Sequence, residues 1–191
     1  MILPYQSIIK LIDEEIVEGA SLEAVQAASL DLHMSDDGPL FHVGEERGWS
    51  AWSDQHHLDP IDPNAKSAPM TSIKPVAGEV GAAWYLPPMT MCLVATRERL
   101  NLHAGLGAQV SGASTLARNG LIVHLTAGWC DPGFSGHVTM ELFNTRRCPI
   151  MLTPGMRIGQ ALFMRLTEHT EKPYSGRYAG SIGVQQPKDK R

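Results

Sequence analysis

From Ala82 onward the chain reads as strand-length pieces separated by Pro and Gly, with no room between them for a helix of about ten residues, and this limits the fold more than any other feature. The pieces read "AWYLPPMTMCLVATRERLNL", "LGAQVSG", "GLIVHLTAG", "HVTMELFN" and "PIMLTPGMRIGQALFMRL". Crossover helices have no room between them, so βαβ units are excluded and a compact β sandwich or barrel-like clip is expected. Only "SGASTLARNG" has the makings of a short helical turn. With 18 Gly and 13 Pro the turns are plentiful.

The first eighty residues differ in texture. In "PYQSIIKLIDEEIVEG" Ile8, Ile9, Leu11, Ile12 and Ile16 make one apolar stripe, which predicts a short amphipathic helix in region 1–20, starting near Pro4 or Ser7 and ending at Gly19. "AASLDLHM" sets Leu30, Leu32 and Met34 against Asp31 and His33, a strand with one covered face. Region 36–78 is expected to be an irregular insertion with fragments of strand, long enough to suggest cover for a pocket or a subunit contact. The tail 175–191 is polar and glycine-rich, either a flexible end or a lid that orders over ligand.

At 191 residues the chain fits one domain and buries about two-thirds of its unfolded surface, so it needs no metal or disulfide staple. A net charge of −4 without a Lys/Arg block argues against a nucleic-acid polymer as partner. No apolar stretch approaches about 18 residues and the N-terminus has no basic region ahead of an apolar core, so neither membrane spanning nor export is expected. Cys92, Cys130 and Cys148 lack metal or scaffold spacing and read as reduced thiols in a cytoplasmic protein.

Two carboxylates invite attention. In "HVTMELFN" Val138, Met140 and Leu142 share one face, while His137, Thr139, Glu141 and Phe143 share the other. A carboxylate on such a strand must be paired, or solvated by a cavity. A pocket Glu141 with its pKa raised toward neutrality would shuttle protons and activate water. Asp131, ahead of Pro132-Gly133, reads either as the cap of an Asx-type turn or as a carboxylate that orients water or holds a sugar. Ser111, Ser114, Thr115 and Arg118 lie around glycines, a pattern shared by ordinary capped turns and by phosphate nests. His169-Thr170-Glu171 matches half of a zinc-deaminase signature, but no P-C-x-x-C follows. His56 and His57 have no partner at ligand spacing, and His124 reads as a core or interface side chain; none is assigned to metal.

"SGASTLARNGLIVHLTAGWCDPGFSGHVTMELFN" closely resembles the central motif region of the dCTP deaminases, members of the trimeric dUTPase-like superfamily. "ASLDL", "WYLPPMTMCLVATRERLNL", "LTPGMRIGQALFMRL" and "PYSGRYAG" resemble further family segments in the same order. The resemblance implies a mostly β chain: a dUTPase-like β-clip (a distorted jelly-roll-like barrel) with a short N-terminal helix, assembled as a homotrimer with shared active sites. It implies zinc-free deamination of a deoxynucleotide, with Mg²⁺ arriving on the triphosphate. Glu141 is then the proton shuttle, Ser114 and Arg118 orient water and stabilise the reacting region, and Asp131 contacts the sugar or activates water for diphosphate release. Thr115, Thr126, Ala127, Gly128, Trp129, Tyr174, Arg177 and Tyr178 fall at nucleotide-binding positions.

The expected reaction is dCTP plus water to dUTP plus ammonia. The alternatives are a dUTP diphosphatase or a bifunctional enzyme giving dUMP, which Gly128 resembles, and an inactive nucleotide-binding trimer. Ala113 stands where the family turn G-R-S-S-L-A-R has its first Arg, and Ser181 where a tail Gln is usual. "YLPPM" likewise replaces a usual Pro-Gly.

Overall fold

The computed structural model describes residues 1–42, 70–72, 74–78 and 81–188. Helix α1 (Tyr5–Asp13) buries Ile8 and Leu11 and is entered from Pro4 in extended conformation. It is shorter than the apolar stripe predicts. Glu15 takes a φ of 55°, which breaks the helix, and Ile16 instead leads into strand β1 (Val17–Glu18), where its carbonyl accepts a hydrogen bond from the Asn101 amide. Gly19, at φ 75°, therefore turns the chain out of β1 rather than capping α1.

After a 3₁₀ turn at Leu22–Ala24 come β2 (Leu30–His33), β3 (Leu40–His42), β4 (Met70–Ser72), β5 (Val76–Gly78), β6 (Gly81–Leu86), β7 (Met91–Asn101) and β8 (Leu106–Gly112). Helix α2 (Ser114–Arg118) is the short turn anticipated between strands. Then follow β9 (Leu121–Val123), β10 (Trp129–Cys130), β11 (Ser135–Asn144), β12 (Ile150–Leu152) and β13 (Arg157–Arg165). The expected irregular segment thus has β3, β4 and β5 at its ends, and its centre, 43–69, lies outside the described residues.

Among the described residues the named strands pair antiparallel. One sheet runs β4-β3-β7-β11-β9 with β1 also on β7, a second runs β10-β8-β13-β2, and a third runs β12-β6-β5. Side chains from the first two sheets share one core that includes Val94, Met140 and Leu142 on one side and Leu32, Val110 and Phe163 on the other. Strand β2 is covered on both faces, not one. Asp31 is buried and meets Arg157 at 2.7 Å, while Glu98, 1% exposed, accepts from the His33 amide and faces its Nδ1 at 2.8 Å. Buried carboxylates with charged or hydrogen-bonding partners substitute there for the solvent that the alternation suggested.

Two features position the cleft. Strand β11 alternates as its sequence predicts: Val138, Met140 and Leu142 face the core, while His137, Thr139 and Glu141 stand half-buried on the opposite face. Fully buried Asn144 ends the strand, donating to the carbonyls of Leu86, Pro87 and Cys148 and accepting from the Arg146 amide. The three thiols are free; burial raises the pKa of Cys92 and Cys130, and Cys148 is exposed.

Candidate active site

The polar face of β11 forms the floor of a 490 Å³ cavity. His137, Thr139 and Glu141 rise from it, Ala127, Trp129 and Asp131 form one wall, and Tyr174, Tyr178, Ser181 and Gln185 of the tail form another. The tail is laid along β11 by backbone pairing: Ser181 bridges Gly136 in parallel, the His137 amide donates to the Ser181 carbonyl, and the Gln185 amide donates to the Thr139 hydroxyl. Gly136 is required at that crossing. At φ 147°, a Cβ there would sit 2.2 Å from the Ser181 Oγ.

Glu141 is 30% exposed and its Oε2 lies 3.0 Å from Nδ1 of His124, whose side chain is only 5% exposed. Burial works to raise the Glu141 pKa. The hydrogen bond from His124, its own backbone amide and the Leu125 amide outweigh that, and the carboxyl titrates below its ordinary value. The expectation of a pKa raised toward neutrality is therefore corrected, because the pocket supplies donors as well as an apolar wall. Glu141 stays ionised at neutral pH, ready to accept a proton.

His124 is the residue that sequence reasoning missed. It follows β9 at φ 60°, a conformation a β-substituted residue occupies only when its surroundings impose it. Two contacts impose it here: its amide donates to the Glu141 carbonyl at 2.8 Å, and its Nδ1 meets the carboxylate. An ionised carboxylate only accepts, so Nδ1 carries the hydrogen. Nε2 is buried without a partner among the described residues. The signal available in sequence was the three-residue strand "LIV" that brings His124 beside β11, in register Leu142 with Val123.

Asp131 stands in the same cleft. The turn Asp131–Phe134 is closed by the Asp131 backbone carbonyl, with Gly133 at φ 92°, so the carboxylate is not the cap that an Asx turn would require. It accepts instead from the Trp129 indole at 2.9 Å. Gly128 lies off the cavity, where a Cβ would meet the Gln109 amide at 2.3 Å and the Val110 carbonyl at 2.5 Å. Thr126 is exposed and also off the cavity, as is Arg177 in the tail. Ser114, Thr115 and Arg118 are exposed on α2, outside the cavity lining, and their side chains have no partner among the described residues. One chain therefore gathers Glu141, Asp131, Ala127, Trp129, Tyr174 and Tyr178, but not the Ser/Arg turn.

Among the described residues no group of three or more His, Cys, Asp or Glu side chains converges on one point. His169 lies against His103, their rings tilted and 5.7 Å apart, away from the cleft.

An antiparallel β framework with Glu141 and Asp131 lining one partly apolar cavity offers two carboxylates of the kind that acid–base hydrolysis of a small molecule uses. The chain belongs to the dCTP deaminase-like family, whose model matches residues 2–166. It is 45% identical over 157 residues to the "dCTP deaminase, dUMP-forming" of Mycolicibacterium vanbaalenii, covering 82% of this chain and 75% of that protein. The proteins of the same description from Beutenbergia cavernae and Kocuria rhizophila are 42% and 39% identical, each covering 83% of this chain and 78% of the relative. Among solved structures, the 2′-deoxycytidine 5′-triphosphate deaminase from Agrobacterium tumefaciens is similar at a TM-score of 0.60 and 18% identity. That match covers 86% of this chain, which spans about half (47%) of the solved chain. The mostly β architecture with its short N-terminal helix is a dUTPase-like fold.

Proposed function

We propose that this protein deaminates dCTP and then releases diphosphate, giving dUMP. The reading with dUTP as final product gives way, because the relatives at 39–45% identity carry the description dUMP-forming. The observation that carries the proposal is the presence of two carboxylates in one cavity: Glu141, paired with His124, and Asp131, paired with Trp129.

In the first step Glu141 takes a proton from water as its oxygen bonds to cytosine C4. The same carboxyl returns that proton to the amino group as the C4–N4 bond breaks, and ammonia leaves. In the second step a water attacks the α-phosphorus and Asp131 accepts its proton. The bond from that phosphorus to the bridging oxygen breaks, and diphosphate departs with the electron pair. Mg²⁺ enters with the triphosphate, as part of the substrate, and offsets its charge.

Ser114 and Arg118 join this site from a neighbouring copy in a homotrimer. Their exposure on α2 and their lack of side-chain partners among the described residues support that placement.

The test supplies dCTP and Mg²⁺ to the purified protein and measures ammonia and diphosphate separately. Equal amounts of both, with dUMP as nucleotide product, are expected. Ammonia with accumulating dUTP would refute the second step. Mixing Glu141→Gln with Arg118→Ala subunits restores part of the activity if sites are shared between copies; no recovery on subunit exchange would refute the sharing.

A further inference from the structure

We infer that Trp129 is a positioning residue for Asp131, and that it sets the efficiency of diphosphate release relative to deamination; this rests on the two-step reading above. Asp131 is exposed, and an exposed carboxylate ordinarily rotates among several orientations. Here its Oδ1 accepts the Trp129 Nε1–H at 2.9 Å. The indole is only a donor, so the contact holds one oxygen and leaves Oδ2 as the acceptor for a water proton.

The indole itself is seated by the sheet. Trp129 pairs with Gln109 across β10 and β8, which fixes its backbone. The edge of its six-membered ring lies over Gly107: a Cβ there would be 2.6 Å from both Cζ2 and Cη2. A glycine in β8 thus makes the slot, and the ring lying in it aims its N–H at the carboxylate. Trp129, Asp131 and Tyr174 also line a second cavity of 550 Å³, so the pair stands on the wall between two spaces. A reacting phosphate approaching that wall meets Asp131 in one orientation.

A purely structural purpose fits poorly. The ring is 44% exposed and its hydrogen bond lies at the surface, where it adds little to stability. Its value is geometric, because a misplaced general base loses rate out of proportion to the energy of the contact that held it. The Glu141 carboxylate, on β11, is paired with His124 rather than with the indole.

The test is Trp129→Phe, which keeps a ring in the slot and removes the N–H. With dCTP and Mg²⁺, diphosphate release is expected to fall about 10-fold further than ammonia release, so that dUTP accumulates. With dUTP supplied directly, the loss is expected in kcat, with KM moving much less. Gly107→Ala keeps the indole but displaces it, and the same skew toward ammonia is expected; thermal melting checks that both variants fold. Ammonia and diphosphate still released in the wild-type ratio by both variants would overturn the inference and leave the two-step reading intact. Wild-type protein that releases ammonia but no diphosphate would overturn the reading, and the inference with it.

Discussion

Glu141→Gln isolates proton transfer from shape. The amide occupies the volume of the carboxyl, and its oxygen still accepts the hydrogen bond that His124 Nδ1 makes at 3.0 Å. What it lacks is any capacity to take a proton from water. A positioned general base contributes roughly 10²–10⁴-fold, about 2.7–5.4 kcal/mol at 1.36 kcal/mol per decade. Because one carboxyl both takes the proton and returns it, the loss of ammonia release is expected toward the upper end, about 10³-fold or more. Diphosphate release from dUTP uses Asp131 elsewhere in the cavity and is expected to persist within a few-fold. The assay follows ammonia from dCTP and diphosphate from dUTP on the same preparation, with nucleotide binding by calorimetry. Normal deamination by the variant would refute the assignment of Glu141. Equal collapse of both activities with binding intact would refute the division of labour between the two carboxylates.

The same substitution has a signature in stability. Since the folded-state pKa of Glu141 lies below its ordinary 4.5, the unfolded chain binds the proton more readily; the stabilisation is present above that pH and is lost as pH falls through the folded value. The Tm advantage of wild type over Glu141→Gln is therefore expected to be constant near neutrality and to shrink below pH 4.5; an advantage that grows on acidification would contradict the depressed pKa. Asn144→Ala removes four hydrogen bonds of a fully buried side chain, one of them fully and three partly buried, so a loss of about 3 kcal/mol is expected by chemical denaturation. Gly136→Ala drives a methyl into Ser181 and should free the tail, seen as several-fold faster tryptic cleavage at Arg177 and a raised KM; cleavage at the wild-type rate would show that the tail is held otherwise.

Much of this protein is legible in one dimension because its signals are local. Pro and Gly spacing excluded crossover helices, and alternation along "HVTMELFN" placed Glu141 on the face away from Met140 with no knowledge of neighbours. The motif block named the family for the same reason: its turn and strand residues are contiguous. Local signals misled where a distant partner intervened. The stripe through Ile16 overran α1 because Asn101, far along the chain, claims the Ile16 carbonyl. Asp31 and His33 read as solvent-facing because Arg157 and Glu98 are remote in sequence.

The chemistry divides along the same line. Sequence alone determined which side chains are available, since carboxylate, indole and glycine identities are written residue by residue and strand alternation assigns them to faces. Only the tertiary structure decided their states: that His124 keeps Glu141 ionised against the pull of burial, that Trp129 and not the turn holds Asp131, and that the tail lies across β11. A pKa and an orientation are sums over neighbours within a few ångströms, and those neighbours become neighbours only when strands far apart in the chain pair.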